Sequence, residues 1–108
     1  VEHLRITQWD ILEFSKSLNH QSPPWPDDYW PKEDNPPDQV TWEKSIQQFL
    51  DNRNEFIALL NSDRDLYEPF PYGEGQNLLR EAMLIADHNS YHIGQIILIR
   101  KILNNWLS

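Results

Sequence analysis

Residues 86–106, ADHNSYHIGQIILIRKILNNW, decide the fold. Steps of three or four from Ile85, just ahead of them, reach His88, His92, Ile96, Ile99, Leu103 and Trp106, an apolar stripe with two imidazoles set into it. That period belongs to an amphipathic helix whose stripe faces a core. His88 and His92 stand at i and i+4, which puts their Cβ atoms about 5–6 Å apart on one face, so both rings can reach one ion. Hydrogen bonding to polar neighbours would also explain two half-buried histidines, and a motif match of this kind carries a real false-positive risk. A polar ring on a core stripe without a partner costs about 1–3 kcal/mol, which shifts the balance modestly toward a ligand role.

Upstream, Asn77 is placed to cap this helix, which the pattern extends over about 76–105. Before it, NSDRDLYEPFPYGEG breaks the period with Pro69, Pro71, Gly73 and Gly75. A second helix is expected over about 38–61, with Asp38 as its cap and the stripe Trp42, Ile46, Phe49, Arg53, Phe56 and Leu60. A first helix is expected over about 2–19, where His3, Thr7, Ile11, Phe14 and Leu18 share a stripe with Leu4 beside it. Between these two lies the loop 20–37, whose prolines at 23, 24, 26, 31, 36 and 37 exclude a helix or a central strand. Loops of that length tend to be lids, binding loops or linkers. Trp25, Tyr29 and Trp30 within it are read as a cover for one end of the core in preference to a lid over a pocket. No stretch alternates like a strand, so residues 1–108 are expected to form one all-α domain, a helical bundle.

Seventeen acidic and nine basic side chains give a formal charge of -8, which repels nucleic-acid phosphates and anionic membrane faces. Neither nucleic acid nor membrane is therefore expected as a partner. The longest aliphatic run, Ile96 to Ile99, is far short of the ~20 residues that span a bilayer, and a soluble protein is expected. With no cysteine, any metal must be held by nitrogen and oxygen, and a cytoplasmic location fits. The sequence opens at Val1 already in helical phase, so a further element upstream is expected.

His3, on the inward stripe of the first helix, is the best third ligand for a centre with His88 and His92; His20, beside the proline-rich loop, is less well placed. Three neutral imidazoles leave an open position on an ion such as zinc, the mark of a catalytic site. A zinc protease of the H-E-x-x-H type is disfavoured, because Asn89 stands where its glutamate would be. Asp10 and Glu81 each lie seven residues from a histidine, about 10 Å along a helix axis, and Asp87 points about a quarter-turn from His88. With no carboxylate in obvious reach, either the ion itself activates a water or thiol, or the base comes from elsewhere. Thr7, Tyr91 and Gln95 sit one turn from a histidine each and can orient a ligand or substrate, although capping or packing explains them equally well. Ser90 lacks a serine-hydrolase setting, Gly94 would permit a close helix crossing, and Glu43, Asp51 and Glu55 read as a solvated face.

EHLRITQWDILEF, a proline-rich loop and then PYGEGQNLLREAMLIADHNSYHIGQIILIRKIL together resemble the DinB-like (YfiT-like) superfamily of metal-dependent helical bundles. The resemblance covers nearly the whole chain, and its last block is the most specific part. It implies a four-helix bundle in up-down-down-up order, with one histidine ligand from the second helix and two from the last. Carried onto this sequence, those ligands are His3, His88 and His92. It also implies that the family's first helix is missing here, so an unseen segment or a homodimer partner would cover the exposed core. Characterised relatives include bacillithiol transferases and a mycothiol-dependent maleylpyruvate isomerase.

The expected function is accordingly that of a divalent-metal protein, the ion being zinc, nickel or iron, since imidazoles alone do not choose among them. The expected reaction is metal-dependent transfer or hydrolysis of a small-molecule substrate, with a low-molecular-weight thiol as cosubstrate. The rival expectation is a noncatalytic metal- or ligand-binding stress protein, and a third is a purely structural dimerisation module without metal.

Overall fold

Side-chain caps start the two long helices. Asp38 accepts the Thr41 backbone N–H at 2.7 Å, and Asn77 accepts that of Arg80 at 2.8 Å, each satisfying one of the donors a helix start leaves free. The computed structural model describes residues 1–107. Within them α1 spans Glu2–Lys16, a 3-10 turn spans Asp27–Tyr29, α2 spans Gln39–Leu60 and α3 spans Leu78–Ile102. There is no strand among the described residues, and the all-helical architecture stands. Three α-helices are seen among the described residues, and the fourth that the resemblance implies is not among them.

Two helices stop earlier than their stripes suggest. At the end of α1 the Ser17 hydroxyl accepts the Asn19 N–H at 3.2 Å, and Ser17 turns extended, which ends the helix at Lys16 instead of Asn19. At the end of α3 Asn104 takes the left-handed conformation, with φ 53°. The Asn105 N–H then bonds to the Arg100 carbonyl at 2.7 Å and the Asn104 N–H to that of Lys101 at 3.1 Å. This is a Schellman ending, with asparagine in the place glycine usually takes.

α1 is the pivot, packing against both α2 and α3. α3 runs antiparallel to it: His3 meets His88, while Ile11 and Leu12 further along α1 share a cluster with Leu78 at the start of α3. That core consists of Ile11, Leu12, Phe56, Phe70 and Leu78, with Phe14, Leu59, Leu66, Tyr72 and Ile85 against it. The segment between α2 and α3 closes over its end. There the Tyr72 hydroxyl donates to the Phe14 carbonyl and Arg64 to the Ser15 carbonyl, both at 2.7 Å, which ties this segment to the last turns of α1. Gln8, fully buried, joins all three helices: its amide donates to the Phe49 carbonyl at 2.7 Å and accepts from the Asn89 side chain at 3.0 Å.

The expected stripes are only partly covered. On α2, Phe56 is buried and Phe49 and Leu60 half-buried, but Trp42 and Ile46 are exposed. On α3, Ile85, His88, His92 and Ile96 are half-buried, while Ile99, Leu103 and Trp106 face outward. Periodicity names the apolar side of a helix, and coverage needs a neighbour, which these segments lack among the described residues. Gly94 makes no close crossing, since a methyl group there would meet nothing within 4 Å. Among the described residues no helix is long and apolar enough to cross a membrane.

Candidate metal centre

The first turn of α1 and the middle of α3 bring His3, His88 and His92 together. One ring nitrogen from each lies within 4.8 Å of the others. Nε2 of His3 and Nε2 of His88 are 3.1 Å apart, within hydrogen-bond distance. Nitrogens bound at about 2.0–2.1 Å to a tetrahedral ion stand about 3.3 Å from one another. One edge of the triangle is therefore already near that spacing, and the third ring nitrogen lies within 4.8 Å of both.

Hydrogen bonds at the far side of two rings fix which nitrogen faces inward. His3 is buried, and its Nδ1–H donates to the Tyr29 carbonyl at 2.7 Å, leaving the Nε2 lone pair toward the other histidines. His92 donates from Nδ1 to the Gln95 side-chain oxygen at 2.7 Å, which likewise frees its Nε2. Such outer partners set tautomer and orientation in metal-ligating histidines. The residues therefore fit a divalent ion on the chemistry of their donors.

Electrostatics favour neutral, ligand-ready rings. Burial, reinforced by the neighbouring His3 and His92, pushes His88 down to about 4. His3 is lowered mainly by burial as well, against the Tyr29 carbonyl bond that pulls it up. His88 and His3 are thus held in the neutral form that binds a cation through a ring lone pair.

The proline-rich loop supplies one wall. Trp30 stacks on His3 with ring centres 3.8 Å apart and planes 1° from parallel, and its indole is 49 % exposed. On the other side Tyr91, 66 % exposed, meets His92 edge-on at 5.1 Å. The expectation that Trp25, Tyr29 and Trp30 simply cover the core is corrected here. Only Tyr29 is buried; Trp25 is largely exposed, and Trp30 covers a histidine. A separate groove of about 330 Å³ lies between the loop and α2, lined by Glu2, Pro31, Pro36, Trp42 and Ser45 among others, and contains none of the three histidines.

The other residues singled out in the sequence fall as follows. Gln95 holds His92 and Tyr91 flanks it, whereas the Thr7 hydroxyl is buried without a hydrogen-bond partner. His20 stands apart from the cluster and bonds through Nε2 to the Asp10 carboxylate at 2.6 Å. Asp10 also accepts the Tyr29 hydroxyl at 2.6 Å, so it is engaged away from the three rings. Sequence reasoning missed the Tyr29 carbonyl and the Trp30 stack. The only trace of either was the presence of aromatic residues in an otherwise polar, proline-rich loop.

None of the curated proteins and none of the solved structures compared with this chain matches it. The family model described as the DinB superfamily matches residues 1–96, a span that holds α1, α2, the loop between them and all three clustered histidines. With that match covering most of its length, the chain belongs to the DinB superfamily.

Proposed function

We propose that His3, His88 and His92 hold a divalent metal ion, zinc, nickel or iron(II), and that the protein is a metal-dependent transferase or hydrolase for a small-molecule substrate. The observation that carries this reading is the convergence of three ring nitrogens within 4.8 Å from two helices, His3 and His88 being 85 positions apart in sequence. Its chemical logic is economy of ligands: three imidazoles leave a coordination position for water or substrate. When bound, such an ion supplies Lewis acidity, making a water or thiol nucleophile available near neutral pH. The chain's own residues do the rest. Tyr29 and Gln95 orient two of the ligands, and Trp30 and Tyr91 shield the open side and offer apolar faces to the non-reacting part of a substrate.

A low-molecular-weight thiol suits this site as cosubstrate. A thiol gives up its proton far more readily than water does, and Asp10 is already committed to His20 and Tyr29, so no general base needs to be invoked. A cytoplasmic location and a homodimer belong to the same proposal, as does a four-helix, up-down-down-up bundle completed by a further helix. The apolar side chains left exposed along α3, among them Leu84, Leu98 and Ile102, support such completion.

The test is metal analysis of protein purified without a nickel column, alongside His88→Ala. About one equivalent of metal in the parent and little in the variant is expected; equal, substoichiometric metal in both would remove the proposal. Thiol-conjugation and small hydrolase substrates then separate enzyme from noncatalytic binder, the enzyme showing turnover that chelation abolishes and added metal restores.

A further inference from the structure

We propose that Asp10 is a positioning residue for the metal centre, acting through Tyr29, with His20 as its second anchor; this rests on the metal-binding reading of the histidine cluster. Asp10 lies on α1 seven residues beyond His3. Both of its carboxylate oxygens are taken by the proline-rich loop: Oδ1 by His20 Nε2 and Oδ2 by the Tyr29 hydroxyl, each at 2.6 Å. The two donors stand at the beginning and the middle of that loop, so one carboxylate clamps residues 20–29 against the helix that carries His3. Tyr29 then returns to the site by its other end, its backbone carbonyl accepting the His3 Nδ1–H at 2.7 Å. The next residue, Trp30, stacks on the same ring.

A closed circuit results, in which His3 and Asp10 belong to one rigid helix and Tyr29 spans them, phenol to carboxylate and carbonyl to imidazole. The circuit is built from charged and buried groups, which hydrogen-bond more strongly than exposed neutral ones. The buried Tyr29 phenol donates to the Asp10 carboxylate from the core side of the loop. His20 and Asp10 are largely shielded from solvent, with Trp9 edge-on against His20 at 5.1 Å. Plain anchoring of a loop would need only one of these bonds. Two converging on a single carboxylate, with the strap continuing onto a ligand ring, hold that ring's angle and tautomer.

Tyr29→Phe removes the phenol's bond and keeps the ring, and Asp10→Asn keeps the size and removes the charge. Nitrogen-15 NMR of the metal-free parent should report His3 as the Nδ1–H tautomer, and both variants should mix the two tautomers. Cobalt(II) affinity should weaken about tenfold in each, with a shifted visible spectrum, as loss of an outer partner does in other metal sites. Leu12→Ala, which lowers stability by removing core packing with Phe56, Phe70 and Leu78, is the comparator and should leave tautomer, spectrum and affinity of the folded protein unchanged. Parent-like tautomer and cobalt spectrum in both variants would overturn the positioning role while leaving the metal site standing. An equal loss in Leu12→Ala would also overturn it, by reducing the effect to general destabilisation. A parent that takes up no cobalt would remove the metal-binding reading itself, and this inference with it.

Discussion

The two ends of α1 are held by different forces. Around Leu12 the helix is fixed by apolar packing, against Leu78 of α3, Phe56 of α2 and Phe70 of the segment between them. Around His3 it is fixed by directed contacts: an imidazole on a carbonyl, a stacked indole and two further imidazoles. Packing of the first kind is non-directional and scales with buried area, whereas contacts of the second kind are worth little net stability and much geometry. One end of the helix supplies the folding energy, and the other holds a site to fixed angles.

The sharpest way to break this division is to mutate each end and read both properties. Leu12→Ala is expected to lower stability by about 2–5 kcal/mol in urea denaturation, with metal content per folded molecule unchanged. His88→Ala should do the reverse, leaving the metal-free unfolding midpoint near the parent's while metal content falls away. If either variant lost both properties together, the two ends would be one cooperative unit.

A smaller effect comes from acid. An imidazole harder to protonate in the folded chain than in the unfolded one stabilises the fold above the unfolded-state value and withdraws that stabilisation as pH falls through the window below it. For His88 the window runs from its ordinary 6.5 down to about 4, and His3 shifts in the same direction. The metal-free protein should therefore melt at progressively lower temperature as pH drops from 6.5 toward 4. His88→Ala should flatten that slope and Leu12→Ala should keep it, as thermal melts across the range would show.

Smallest is Asn77→Ala, which removes the cap of α3 at the apolar end and should cost about 1 kcal/mol in the same denaturation assay with no change in metal content.

The apolar end was the easier of the two to read from sequence. Ile11, Phe56 and the cap Asn77 follow from helical spacing and from the chemistry of helix starts, both local properties. The histidines were legible in part for the same reason: His88 and His92 share a face by spacing alone, and His3 lies on the inward stripe of α1. Trp42, Ile46, Ile99 and Leu103 show the limit of periodicity. They continue their stripes faithfully, yet exposure depends on whether another element lies across them. The clamp of His20 and Tyr29 on Asp10 left no periodic trace, because it joins a loop to a helix through side chains whose meeting depends on the path of eighteen intervening or flanking loop residues, about which spacing says nothing.

The indole of Trp30 lies in face-to-face contact with the ring of His3. Any cation that settles on that ring, or any proton that leaves it, alters the electronic surroundings of a natural fluorophore at van der Waals distance. Trp30 is one of five tryptophans, so the change in emission that reports this ring is the part that a Trp30→Phe variant loses.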